Sequence, residues 1–214
     1  MSYPSEPAFP NRFGRLYLEA VAEVLGAMGR SALLGLGGLP LLMSDLPPDN
    51  LAKEFTLREY AAINIAFLKM GGRKMGRGIA VRCGRDSFGH LLRNTDFIAL
   101  ERTDSLNTEK LTALLKPFTL FSEGDVQDVL TIQEDDTHYT VTFLTCPCCW
   151  GLSSEHVVDR LGKVVDEPVC FGILGYLAEG VRWIVGHELP VTEVACRIQN
   201  DSEVCVFRID KSDS

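Results

Sequence analysis

The chain has 214 residues, 46% hydrophobic, 23% charged and 8% aromatic, enough apolar material to bury a substantial core without crosslinks. This is too apolar for a disordered chain, and no apolar run reaches the roughly 18 residues that a membrane span needs. The net charge of −8 divides into +3 over residues 1–100 and −11 over residues 101–214, which argues against a general nucleic-acid binder.

Pro4, Pro7 and Pro10 mark an extended arm, with no basic segment leading into an apolar one, so the expected location is cytoplasmic. A first helix is predicted from about Asn11, with Leu16, Leu18, Val21, Val24, Leu25 and Met28 as its apolar stripe. Ala32 to Met43, broken by Gly35, Gly37, Gly38 and Pro40, is expected to form a buried turn or loop. Thr56-Leu57-Arg58-Glu59 is a capping-box signature, opening a helix that Gly71-Gly72 should interrupt. The helical pattern resumes from Arg73 to Leu92, broken by Gly84 and Gly89, and Asn107-Thr108 begins a short helix ending at Leu115.

After Gly124 the pattern changes. Val129 to Gln133 and His138 to Thr145 are rich in β-branched and aromatic residues and flank Glu134-Asp135-Asp136, which predicts an antiparallel hairpin. Ser153 should cap a helix carrying Val157, Val158, Leu161, Val164 and Val165 on one face. A second helix, apolar almost all round, is predicted from about Val169 to Val185, with Gly186 closing it. Val191 to Ile198 and Glu203 to Ile209 then read as a hairpin about Asn200-Asp201.

Seven cysteines, at positions 83, 146, 148, 149, 170, 196 and 205, point to metal or redox chemistry before they point to a disulfide framework. A two-residue loop at Asn200-Asp201 would place Cys196 opposite Cys205, with side chains about 4.5–5.5 Å apart at Cβ, close enough to share a tetrahedral zinc. Glu193 sits an odd number of residues from Cys196, so it joins that face only if the strand entry is bulged. Cys170, at the start of the apolar helix, gains thiolate character from the helix dipole. Buried unliganded thiols and a Cys196–Cys205 disulfide are the competing readings.

The run Asp166-Glu167-Pro168-Val169-Cys170-Phe171-Gly172-Ile173-Leu174-Gly175-Tyr176, then Gly180, then Glu193-Val194-Ala195-Cys196 and Cys205-Val206-Phe207 resembles the 4-vinyl reductase domain family. That family includes the effector-sensing domains of phenol- and xylene-responsive bacterial activators, proteins of bacteriochlorophyll synthesis, and stand-alone archaeal and bacterial proteins described as hydrocarbon-binding. The match covers roughly Asp166 to Phe207, and Gly71-Gly72-Arg73 with Gly76 looks like the family's upstream glycine-containing segment. The resemblance implies zinc held at Cys170, Glu193, Cys196 and Cys205. It also implies an α+β fold, helices packed on an antiparallel sheet, of the kind used by the ligand-binding domains of Golgi-transport and nitric-oxide-signalling proteins, commonly dimeric. On this view residues 1–50 form an arm and helix suited to dimerisation, and residues 51–214 form one ligand-binding unit.

Cys146-Pro147-Cys148-Cys149 has C-x-x-C spacing. A second metal or iron–sulfur site, a redox pair and a turn with buried thiols are three readings of it. Lys69, Arg73 and Arg77 share a helix face, most simply a solvated one, and the four histidines show no paired metal spacing. No nucleophile, base and orienting group stand together, and no glycine-rich dinucleotide fingerprint follows a strand. The expected function is therefore a zinc-containing, non-catalytic sensor or carrier of a small hydrophobic molecule, an aromatic or a tetrapyrrole. Phe143, Trp150, Phe171, Tyr176 and Trp183 are the expected ligand contacts. An enzyme of tetrapyrrole metabolism, a thiol redox protein using Cys146 and Cys149, and a dimeric adaptor are the alternatives.

Overall fold

The structure is a computed structural model that describes residues 6–94, 97, 100–152, 157, 161–162, 165, 168–199 and 202–211. It is α+β, with helices packed on an antiparallel sheet, as expected. In chain order the elements are β1 (Ala8–Pro10), α1 (Asn11–Leu36), α2 (Pro40–Ser44), β2 (Lys53–Thr56), α3 (Leu57–Leu92), α4 (Thr108–Leu115), β3 (Leu130–Glu134), β4 (His138–Phe143), α5 (Phe171–Val185), β5 (Val191–Ala195) and β6 (Cys205–Asp210).

The amino-terminal segment is part of this body. β1 pairs antiparallel with β2, and α1 packs along α3. Phe9 and Phe13 are buried, their rings stacked at 4.2 Å, and Phe13 meets Phe118 edge-on at 5.7 Å. The stretch Ala32 to Met43 differs from the buried turn expected of it. Leu33 and Leu34 are buried at the end of α1, but Leu36, Leu41 and Met43 are exposed, because the short α2 lies on the surface and buries none of its residues.

The capping box forms in full at α3. The Glu59 N–H donates to Thr56 Oγ1 at 3.1 Å and the Thr56 N–H donates to Glu59 Oε2 at 2.7 Å, a pairing whose cap contributes about 1 kcal/mol. α3 breaks at Gly72, where φ is +67°, a conformation that strains any residue with a Cβ. α1 has a similar break at Gly26 that its sequence pattern does not announce. Gly84 and Gly89 do not interrupt α3. α4 starts where predicted, with Asn107 Oδ1 accepting from the Lys110 N–H at 2.9 Å.

α5 lies against α3 at backbone distance. A Cβ on Gly84 would come within 2.1 Å of the Gly172 carbonyl oxygen, and one on Gly175 within 1.9 Å of the Val81 carbonyl oxygen. Those small residues let two helices cross where side chains would hold them apart. α5 begins at Phe171, two residues later than predicted, with Cys170 at its cap position, and ends at Gly186, where φ is +83°. Its Tyr176 is fully buried, and the hydroxyl donates to the Leu114 carbonyl at 2.9 Å.

The four-stranded sheet has the order β3-β4-β6-β5 and is antiparallel throughout. The hairpin predicted about Glu134-Asp135-Asp136 is β3–β4. β6 lies between β4 and β5, so Phe143 at the end of β4 pairs with Cys205 at the start of β6. The second hairpin keeps the predicted register, with Ala195 opposite Val206, but its strands are shorter than predicted: β5 ends at Ala195, β6 starts at Cys205, and Asn200-Asp201 lies outside the described residues. The reason is a turn at Cys196, whose carbonyl accepts from the Gln199 N–H at 2.8 Å. Most of the helix predicted from Ser153 also lies outside the described residues. Its described positions, Val157, Leu161, Gly162 and Val165, are not helical.

Candidate metal centre

Three local structures deliver sulfur to one point. After β4, Cys146 opens a single 3₁₀ turn, Pro147–Cys149, in which the Cys149 N–H donates to the Cys146 carbonyl at 3.2 Å. Residues i and i+3 eclipse in a 3₁₀ turn, so Cys146 and Cys149 face the same way. Cys148, between them, lies by the Tyr60 hydroxyl and also interacts with the Cys146 and Cys170 thiols. Cys170 comes from the amino-terminal end of α5, and Cys196 and Cys205 flank the β5–β6 loop.

A bulge in β5 brings Glu193 to the same place. The pairing runs Glu193 to Phe207 and then Ala195 to Val206, so one residue, the exposed Val194, is extra on β5. That insertion turns the odd offset between Glu193 and Cys196 into a shared face. Glu193 Oε2 accepts the Cys170 backbone N–H at 2.9 Å, while Oε1 is buried without a hydrogen-bond partner among the described residues.

The sulfurs of Cys149, Cys170, Cys196 and Cys205 are at 3.4 Å (149–170), 3.5 Å (149–196), 3.7 Å (149–205), 3.8 Å (170–196), 3.7 Å (170–205) and 3.9 Å (196–205). These are the six edges of a nearly regular tetrahedron. An ion with metal–sulfur bonds of about 2.3 Å at its centre requires edges of about 3.8 Å. Cys146 adds a fifth sulfur at 3.5 Å from Cys170. Cys146, Cys149, Cys170 and Cys205 form one set of donors lying within 4.8 Å of one another, and Cys170, Glu193, Cys196 and Cys205 form another. Tetrahedral four-sulfur geometry suits zinc or iron. A multinuclear iron–sulfur cluster places sulfides and several irons between its cysteines, which needs wider spacing.

The two cysteine groups that look separate in the sequence therefore meet in one cluster. Cys83 does not join it: it is buried on α3, its thiol pushed up to about 12 by burial and then by Asp86. In the cluster the thiols divide protons unequally. Burial, then the neighbouring thiols, raises Cys170, whereas hydrogen bonds from Cys149 and Cys170 lower Cys196. Burial, then the Cys196 and Cys205 sulfurs, pushes the Glu193 carboxyl well up. Negative charge gathered in a dry site is what a bound cation would relieve. Arg197 helps from the rim, its backbone N–H donating to Cys205 Sγ at 3.3 Å.

The five aromatics expected at the ligand are dispersed. Phe143 packs on Phe207 at 5.8 Å in the sheet, Tyr176 meets Phe118 at 4.8 Å, and Trp183 borders a pocket of about 270 Å³ beside Phe88. Phe171 lies beneath Arg77 and borders a different pocket, of about 110 Å³, with Glu193; Trp150 is partly buried against the core. Phe171, Tyr176 and Trp183 share α5 but meet different neighbours, and Phe143 and Trp150 lie on β4 and beyond it, so the five do not converge on one cavity.

No protein-family model and no curated protein matches the chain. A solved structure from work on modulating haem redox potential through protein-induced porphyrin distortion is similar over 94% of this chain and 98% of that one, with a TM-score of 0.50 and 11% identity. Another, from work on the mechanism of H-NOX activation, is similar over 95% and 97%, with a TM-score of 0.49 and 13% identity. The first likeness is one of fold alone, helices packed on an antiparallel sheet.

Haem itself does not suit the described residues. Haem iron takes an axial His, Cys, Met or Tyr beside a slot for the macrocycle. His90 Nε2 lies 3.0 Å from Glu23, His138 Nε2 lies 3.2 Å from Asp135, and His187 is exposed. The pockets bordered by His90 and His187, about 270 and 250 Å³, are smaller than the roughly 300 Å³ at which ligand pockets begin. α3 and α5 meet at backbone distance where Gly84 and Gly175 lie, and Cys170 at the head of α5 is in the sulfur cluster while Cys83 on α3 is buried apart from it.

Proposed function

We propose that this chain is a non-catalytic sensor or carrier domain built round one zinc ion, of the 4-vinyl reductase type that its sequence resembles. The observation that carries the reading is the tetrahedron of Cys149, Cys170, Cys196 and Cys205, whose edges of 3.4–3.9 Å match a zinc–thiolate site. Cys170, Cys196 and Cys205 are shared with the ligand set implied by the resemblance. In this chain Cys149 takes the fourth position, and Glu193 stands beside the ion, holding the Cys170 backbone. The ion then ties the β4 exit, the start of α5 and the β5–β6 loop together, a structural role that leaves no open coordination position.

A small hydrophobic molecule, and a homodimer through the amino-terminal helix, complete the reading. The fold is one used by ligand-binding domains, and Met28, at 90% exposure on α1, is an apolar side chain left to a partner. Native mass spectrometry of protein purified without chelator tests all three together. The expected species is a dimer carrying about one zinc per chain and an apolar adduct, with the zinc lost in Cys205→Ser. A chain purified under reducing conditions, with all its thiols intact, that carries no zinc would overturn the zinc site.

A further inference from the structure

We propose that the same cluster is a site of oxidative modification: a hydroperoxide oxidises Cys170, Cys146 closes a Cys146–Cys170 disulfide, and the ion is expelled. This rests on the zinc reading and deepens it. The cluster holds more sulfur than one ion uses. Cys146 could ligate only by forming a tetrahedron with Cys149, Cys170 and Cys205, which shares a face with the first. Ions centred in both would lie about 1.5 Å apart for bonds of 2.3 Å, a separation that two cations do not tolerate. With zinc in the Cys149, Cys170, Cys196 and Cys205 set, Cys146 is a spare thiol 3.5 Å from a ligand sulfur.

Cys170 is the ligand beside the spare thiol. Like Cys205 it belongs to both four-donor sets, and its sulfur lies 3.4–3.8 Å from those of Cys146, Cys149, Cys196 and Cys205. A pocket of about 110 Å³, bordered by Arg77, Pro168, Phe171, Leu174 and Glu193, reaches the chain on both sides of Cys170 and the carboxylate bonded to its N–H. At about 30 Å³ per water, that volume admits hydrogen peroxide.

In the first step the Cys170 thiolate attacks the peroxide O–O bond, giving a sulfenic acid and hydroxide. The Cys146 thiol then attacks the sulfenic sulfur, forming the S–S bond, and the sulfenic oxygen leaves with the thiol proton as water. Two sulfurs together lose two electrons, which the peroxide gains. Closing the disulfide brings the sulfurs from 3.5 Å to about 2.05 Å and leaves zinc with three ligands.

The test treats the zinc-loaded full chain with hydrogen peroxide, follows zinc with a chromogenic chelator, and maps disulfides by mass spectrometry of alkylated peptides. The expected result is release of the bound zinc with a Cys146–Cys170 linkage, and release at least about tenfold slower in Cys146→Ser. Retained zinc, any other pairing, or wild-type release by Cys146→Ser would overturn the proposal. Should Cys146→Ser fail to fold, the wild-type peptide map decides. A chain that never takes up zinc would overturn the zinc reading instead. The peptide map of that metal-free chain would still decide the modification site, a Cys146–Cys170 linkage supporting it and any other pairing sinking it.

Discussion

Glu193 and Cys170, 23 residues apart, are joined by a 2.9 Å hydrogen bond in which the Cys170 backbone N–H donates to Glu193 Oε2. The bond ties β5 to the cap of α5 at the point where the sulfurs converge.

With Cys149 as the fourth ligand, Glu193 acts through Cys170. Glu193→Gln keeps an acceptor oxygen and should retain about one zinc per chain, whereas Glu193→Ala should weaken zinc binding about 10–100-fold. Zinc content after dialysis and competition with a chelator measure both. Complete zinc loss in Glu193→Gln would make the carboxylate a ligand and displace Cys149.

Zinc removal should loosen the carboxyl-terminal half of the chain. A ligand present at 1,000 times its Kd stabilises by about 4 kcal/mol, so chelation should lower the melting temperature by several degrees. Protons compete with zinc for thiolates, so zinc should also dissociate as the pH falls, and a Cys170→Ser chain, which breaks both four-donor sets, should show neither effect. Calorimetry with and without chelator reads the difference, and equal melting temperatures would contradict a structural ion.

Backbone contact between α3 and α5 makes Gly175 intolerant of a side chain. Gly175→Ala forces a Cβ to within 1.9 Å of the Val81 carbonyl oxygen and should cost about 2–4 kcal/mol. Gly78, exposed on α3 with open space at its Cβ position, is the contrast: Gly78→Ala should stabilise by about 0.5–1 kcal/mol. Urea unfolding of the two variants should move in opposite directions.

In the β3–β4 turn, Asp135 Oδ1 accepts from the Thr137 N–H at 2.7 Å, the His138 N–H at 2.9 Å and the Thr137 hydroxyl at 2.9 Å. The two backbone N–H groups, then the hydroxyl, hold its carboxyl down to about 2. Because the folded value is depressed, this stabilisation is fully present above the unfolded value of about 3.9 and is lost as the pH falls through about 2. Asp135→Asn should therefore be less stable than wild type at pH 7, and the gap should narrow between pH 4 and pH 2. A gap independent of pH would mean that the carboxylate charge contributes nothing.

Elements closed by their own local chemistry could be read from the chain. Thr56 with Glu59, Asn107, Gly72 and Gly186 set boundaries through caps and backbone conformations that need only neighbouring residues. The break at Gly26 leaves no mark in the sequence pattern because the apolar stripe of α1 continues across it, and β5 and β6 are shorter than their alternation suggests because the turn at Cys196 ends β5 early, with the predicted register kept at Ala195.

For the site, sequence alone determined the donors: the C-x-x-C turn after a strand, a cysteine opening an apolar helix, and a Glu-x-x-Cys followed by a second cysteine nine residues later. Only the tertiary structure decided that they form a single cluster. β6 lies beside β4, so Phe143 faces Cys205 and the 3₁₀ turn just beyond β4 arrives at the sulfurs of Cys170 and Cys196. Pairing between strands more than 60 residues apart depends on the packing of the whole sheet against α5, whereas caps and turns are settled within a few residues of themselves.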